Sequence, residues 1–133
     1  MNKYIKINYK VSEKIRNTVL NGDYIPKSKY DTISCDDYYD EKWWNRLSEK
    51  ERKLVLDWVD NNMKPIKSIN LRRSSYQLKH ICENDVGFYI HNDVIKKAMA
   101  IKGYEIMPHY IDSCFTISIN WYFNISEKSL KGK

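Results

Sequence analysis

The chain has 133 residues, of which 42% are hydrophobic and 30% charged, a size and balance that suit one ordered domain and exclude collagen-like, disordered and multi-domain organisations. Lys and Arg number 23 against 17 Asp and Glu, giving a formal charge of +6, enough to steer the protein towards nucleic acid or an acidic protein without identifying either. No apolar run approaches the roughly 20 residues needed to span a bilayer. The opening Met1-Asn2-Lys3-Tyr4-Ile5-Lys6 lacks the apolar stretch of a secretory signal, so a cytoplasmic location with no membrane partner is expected.

The aromatic inventory is unusual: 11 Tyr and 4 Trp against 3 Phe. Most large rings therefore carry a polar atom able to reach solvent or a partner, which suits a binding surface or a small core with a wet edge. Cys35, Cys82 and Cys114 are odd in number and widely spaced, as reduced thiols are in a reducing compartment. His80, His91 and His109 form no zinc-ligand spacing with them, and no metal or cofactor is expected.

Charge comes in blocks. Residues 1 to 29 hold seven basic and two acidic residues; Asp31, Asp36, Asp37, Asp40 and Glu41 then follow with no Lys or Arg among residues 31 to 41; residues 42 to 133 hold sixteen basic against ten acidic. The first helix is expected over residues 11 to 20, where Val11, Ile15, Val19 and Leu20 share a face and Asn21-Gly22-Asp23 stops it. Pro26, Ser28, Asp31 and Ser34 then interrupt any periodicity. Residues 1 to 41 read as an N-terminal arm with one short helix and an acidic linker, and residues 42 to 133 as the main domain.

The clearest helix starts at Ser48, whose spacing to Glu51 makes a capping box, continues through Leu54, Val55, Trp58, Val59 and Met63, and ends at Pro65. Trp43, Trp44 and Leu47 form its hydrophobic lead-in, near Trp58. A second helix is predicted over residues 75 to 85, with Gly87 at its end, followed by the β-prone Phe88-Tyr89-Ile90. Asn92 then caps a third helix through Ile101, which Gly103 terminates. Residues 104 to 107 and 115 to 125 are rich in strand formers, with Thr116-Ile117-Ser118-Ile119 alternating polar and apolar, so two terminal strands joined by a long turn are expected. The predicted fold is α+β: a helical trio against a small antiparallel sheet, winged-helix-like, whose last two strands form the wing.

Several constellations bear on function. Lys64, Lys67, Arg72, Arg73 and Lys79 fall in a stretch free of acids, and Arg72-Arg73-Ser74-Ser75 puts guanidinium forks and hydroxyls at a helix start, where an anion is favoured. In a winged-helix reader the third helix offers His91, Asn92, Lys96, Lys97 and Lys102 to duplex DNA, Asn92 to an adenine edge or as a helix cap, Lys96 and Lys97 to phosphates. The expected wing, residues 104 to 123, contains no Lys or Arg. Its rings, including Tyr110 and Tyr122, favour a protein partner instead. The acidic run of Asp31, Asp36, Asp37, Asp40 and Glu41 either imitates phosphates to an Arg-rich groove or is a solvated linker. No phosphate-cradling glycine motif, zinc-protease helix or nucleophile elbow occurs, and a non-enzymatic protein is expected.

From Trp43 onward the sequence resembles a family of small proteins carried by phages and other mobile elements of low-GC Gram-positive bacteria. The resemblance rests on the Trp-rich helix ending near Pro65, Ser74-Ser75-Tyr76-Gln77-Leu78-Lys79-His80, Gly87-Phe88-Tyr89-Ile90, the Lys97-Ala98-Met99 to Gly103-Tyr104 segment, and Asn120-Trp121-Tyr122-Phe123-Asn124-Ile125-Ser126. It covers about residues 43 to 129 and implies a genomic setting in which such proteins regulate element genes or disable host defence, CRISPR nucleases included. Two functions follow as expectations: an anti-CRISPR-type inhibitor that binds a host defence protein or its nucleic-acid complex, or a DNA-binding regulator of element genes. A homodimer is compatible with either.

Overall fold

The computed structural model describes residues 4–32, 34–108, 117–130 and 132. Along the chain run β1 (Tyr4–Lys6), α1 (Tyr9–Leu20), α2 (Lys42–Asn45), α3 (Glu49–Asn62), β2 (Pro65–Ser74), α4 (Ser75–Val86), α5 (Asn92–Ile101), β3 (Ile106–Met107) and β4 (Tyr122–Ile125), with a final 3₁₀ turn at Lys128–Leu130. The strands form one antiparallel sheet in the order β1-β2-β4-β3. The α+β class is as expected: α3, α4 and α5 pack on one another as the trio, and the last two strands pair as a wing requires.

The helix signals act locally. Ser48 accepts from the Glu51 amide while the Glu51 carboxylate accepts from the Ser48 amide, the reciprocal box that starts α3. α4 starts at Ser75 as expected and by the same device, with Ser74 and Gln77 as the pair. It ends at Gly87, whose φ of +87° is the left-handed conformation that glycine adopts without a Cβ penalty. α5 departs from expectation at its cap: His91 Nδ1 accepts from the Asp93 amide at 3.0 Å, and Asn92 is the first helical residue.

Three corrections concern larger features. β2 occupies residues in which no strand was expected, because its pairing is irregular: Pro65 faces Ile125, Asn70 faces Phe123 and Ser74 faces Tyr122, with bulges between. Ile66, Ile69 and Leu71 therefore show no unbroken alternation. Buried Asn70 satisfies the interrupted ladder, donating from Nδ2 to the Ile125 carbonyl at 3.2 Å and to Glu127 at 3.0 Å, while its Oδ1 accepts from the Arg72 amide at 2.8 Å. Phe88-Tyr89-Ile90, expected as a strand, is instead the turn between α4 and α5, with Ile90 buried. Of the expected terminal strands, only Ile106–Met107 and Tyr122–Ile125 pair among the described residues; Tyr110 and Phe115 lie outside them.

The described residues between 4 and 41 are no separate arm. β1 pairs with β2 through Tyr4 to Asn70, Ile5 to Ile69 and Lys6 to Ser68. Ile15, Val19 and Tyr39 join Val55, Trp58, Leu78, Ile95, Met99, Trp121 and Phe123 in a single apolar core. Buried Ser12 accepts from the Ile106 amide at 2.8 Å, and Arg16 pairs with Glu105 at 2.7 Å, fastening α1 to the start of β3. A partial helix face such as that of α1 is stable only when covered, and α5 together with β3 covers it.

Candidate functional site: a tyrosine-walled cleft at the start of α5

Every residue from Asn92 to Ala100 is buried. The chain that closes over the polar side of α5 is the N-terminal segment. Lys97 Nζ donates to the Val19 carbonyl at 2.9 Å and pairs with Glu41 at 3.0 Å. Lys96, fully enclosed, donates to the Tyr38 carbonyl at 2.5 Å, pairs with Asp93 at 3.2 Å and lies 4.3 Å from the centre of the Trp121 ring. Burial outweighs the Asp93 charge and pulls the Lys96 amine down to about 8. Burial likewise raises the Asp93 carboxyl, which still accepts from the Asp40 amide at 2.9 Å.

This geometry corrects the expected groove contacts of Lys96 and Lys97: both cations are spent on carbonyls and carboxylates inside the fold. Asn92 is also enclosed, its Nδ2 donating to the Ile119 carbonyl at 3.1 Å and to Asn120 Oδ1 at 3.0 Å. The missed signal was composition: Tyr38 and Tyr39 follow an acidic run, and these buried rings bring Asp40 and Glu41 onto the helix.

The expected basic patch is dispersed. Lys64, Lys67 and Arg72 are exposed, the first just before β2 and the others on it. Arg73 is bound to Glu127 at 3.0 Å. Lys79, mostly buried, pairs with Glu83 at 3.4 Å. The hydroxyls expected to await an anion are also used: Ser74 caps α4, and buried Ser75 accepts from the Trp121 amide at 3.0 Å. Tyr122 packs beside Ile7, Ile69 and Met107 on the other face of the sheet.

What the structure does assemble is a cleft of about 340 Å³ at the first turn of α5. One wall is α4, where Tyr76, Lys79 and His80 fall at i, i+3 and i+4 and so share a face. Tyr76 and His80 meet edge to face with centroids 4.5 Å apart. Lys79 Nζ sits 4.6 Å from the Tyr89 ring and 5.8 Å from Tyr76, and both rings remain open to solvent, 62% and 50% exposed. Glu83 joins this wall to the turn: it accepts from the Ile90 amide at 3.1 Å, the main cause of its lowered pKa, with Lys79 adding to the effect.

The opposite wall is the acidic segment, with Ser34, Cys35 and exposed Asp36, while Asn92 and Asn120 also line the space. Asp31 holds this segment in shape, accepting from the Ser34 amide at 3.0 Å and from the Tyr38 hydroxyl at 2.9 Å. Asp37 accepts from the Lys27 amide at 3.2 Å. The run is thus a built loop with carboxylates at its surface, and not a solvated linker. Tyr30, 79% exposed, and Tyr24 add rings to the same segment.

His91 closes the end of the cleft. Its ring stacks on Trp43 at 3.9 Å and 6° between planes, and Arg46 and Lys42 lie over that indole at 4.4 and 5.3 Å. Burial, aided by Lys96 and Lys79, pulls the imidazole down to about 4 against the opposing pull of Asp36, so the ring is neutral at pH 7. No family model, curated protein or solved structure matches the chain. Among the described residues no His, Cys, Asp and Glu cluster suits a metal ion, and no helix is long and apolar enough to cross a membrane. Tyr76 and Tyr89 were not singled out from the sequence as site residues, although the Tyr76-Lys79-His80 spacing was available to mark one face of a helix; His91, expected at a DNA groove, stacks on Trp43 instead.

Proposed function

We propose that the protein is a non-enzymatic accessory protein of a mobile element that binds and inhibits a host defence nucleoprotein. One observation carries the reading: the cations of α5 are consumed inside the fold, while the cleft at its first turn carries exposed Asp36 and the exposed rings of Tyr76 and Tyr89. A surface bearing an exposed carboxylate and open tyrosine rings complements a protein groove built to hold nucleic acid, since such grooves are lined with Arg and Lys. Tyrosine rings are enriched where interfaces are strongest.

The test is capture from a host lysate with the intact protein and with an Asp36→Lys/Asp37→Lys variant. The intact protein recovers a defence nuclease or its guide complex and lowers its cleavage of DNA, and the charge-reversed variant recovers at least tenfold less. Recovery of only the protein's own chain refutes the reading and supports self-association.

A second reading, a DNA-binding regulator, draws on exposed Lys64 just before β2 and exposed Lys67 and Arg72 on it. It requires specific duplex binding by the isolated protein that strengthens as salt falls and weakens on Arg72→Ala.

A further inference from the structure

The cleft at the start of α5 has a chemistry more specific than a general acidic surface. Asn92 lines it and is only 7% exposed; its Nδ2 is fully used on the Ile119 and Asn120 side, yet its Oδ1 has no hydrogen-bond donor among the described residues. An orphaned buried acceptor calls for a donor. Across the cleft Asp36 adds an exposed carboxylate, and Tyr76 and Tyr89 supply two solvent-exposed rings that already hold the Lys79 ammonium on one side.

We propose that this cleft is an arginine-binding site that receives a guanidinium side chain from a protein partner, stacked against Tyr89 or Tyr76 and hydrogen-bonded to Asp36 and Asn92. The inference rests on the nucleoprotein-binding reading and names the side chain through which that partner is held.

The alternatives fit less well. A phosphate brings no donor to Asn92 Oδ1 and would face Asp36, with Asp37 and Asp40 in the adjoining depression. A lysine ammonium donates hydrogen bonds but has no plane to lie on a ring, whereas the guanidinium offers five donors in a flat fork that stacks. Lys79 does not bar a second cation, because Glu83 neutralises it at 3.4 Å, and neutral His91 adds no positive charge.

The experiment titrates the isotopically labelled, full-length protein with the capped tripeptide Gly-Arg-Gly, with Gly-Lys-Gly, and with a ten-nucleotide oligothymidine, following resonances by NMR. The arginine peptide shifts the Asn92 side-chain amide and the Tyr89 ring, and the lysine peptide binds at least fivefold more weakly. Asp36→Asn and Tyr89→Ala, both at exposed positions, each weaken arginine binding about threefold while the melting temperature stays unchanged. Absence of shifts at the cleft with millimolar arginine peptide overturns the proposal, as does equal binding of lysine or displacement of the same resonances by the oligonucleotide. The two readings fail separately. If the lysate capture recovers a nuclease and is indifferent to Asp36→Asn and Tyr89→Ala, the arginine site is wrong and the inhibitor reading stands; if the peptide binds as expected and no nuclease is captured, the reverse holds.

Discussion

Replacing Lys96 with Met separates a structural lysine from a nucleic-acid contact. In the fold the ammonium is fully enclosed, held by Asp93 at 3.2 Å, the Tyr38 carbonyl at 2.5 Å and the Trp121 ring at 4.3 Å. Methionine keeps the length of the stem and removes the charge, which leaves Asp93 buried opposite an apolar group and the Tyr38 carbonyl without its donor. Breaking a buried pair from one side costs about 3–5 kcal/mol, and for a domain of this size that lowers the melting temperature by roughly 10–20 °C. The measurement is thermal and urea unfolding followed by circular dichroism. At acid pH the deficit shrinks, because an Asp93 left without its cation takes up a proton more readily. The double variant Lys96→Met/Asp93→Asn recovers part of the loss. A change below about 0.5 kcal/mol in Lys96→Met, the range typical of exposed sites, refutes the buried placement.

The same lysine sets a pH dependence whose sign can be worked out. Folded Lys96 gives up its proton near 8 and the unfolded side chain near 10.5. Between those values the unfolded state holds more protons, so wild-type stability rises from pH 8 towards 10, by a quantity on the order of 3 kcal/mol at most. Above pH 10 the opposite effect of Tyr39, whose hydroxyl is raised by burial and by its bond to Glu41, takes over. Lys96→Met loses the rise.

Four further perturbations test the fold. Asn70→Ala removes a buried amide that satisfies the Ile125 carbonyl, Glu127 and the Arg72 amide, and unfolding in urea should show a loss of about 2–3 kcal/mol with an unchanged slope. Ser12→Ala strips the Ile106 amide of its buried acceptor, costing about 1–3 kcal/mol, and removal of residues 1 to 41 abolishes the cooperative transition; a truncated chain that melts like the whole protein refutes the shared core. Folded His91 titrates near 4 against 6.5 when unfolded, so the unfolded state binds the extra proton in that window and stability falls as pH drops through it; His91→Phe, which keeps the stack on Trp43, flattens that fall in acid unfolding curves.

Helix positions were legible because their signals are local: Ser48 with Glu51, Gly87 and Gly103 act within one turn of chain, and Val55, Trp58 and Val59 repeat at the helical interval. From such signals alone the α+β class and the members of the helical trio could be named. β2 was not legible, since its bulges break the two-residue alternation and its continuity depends on the side chain of Asn70 reaching residues 55 and 57 positions away. The fate of the charges was equally hidden. Lys96 and Lys97 carry no mark in sequence that distinguishes a solvated cation from one enclosed by Tyr38, Val19 and Glu41, because the difference lies in contacts 56 to 78 residues apart. The amino-acid sequence by itself thus determined where helices begin and end and how much charge and ring surface the chain holds. Only the tertiary structure decided which of those groups face solvent, because packing residues 1 to 41 against α5 cancelled its cations and left the tyrosines and Asp36 to form the cleft.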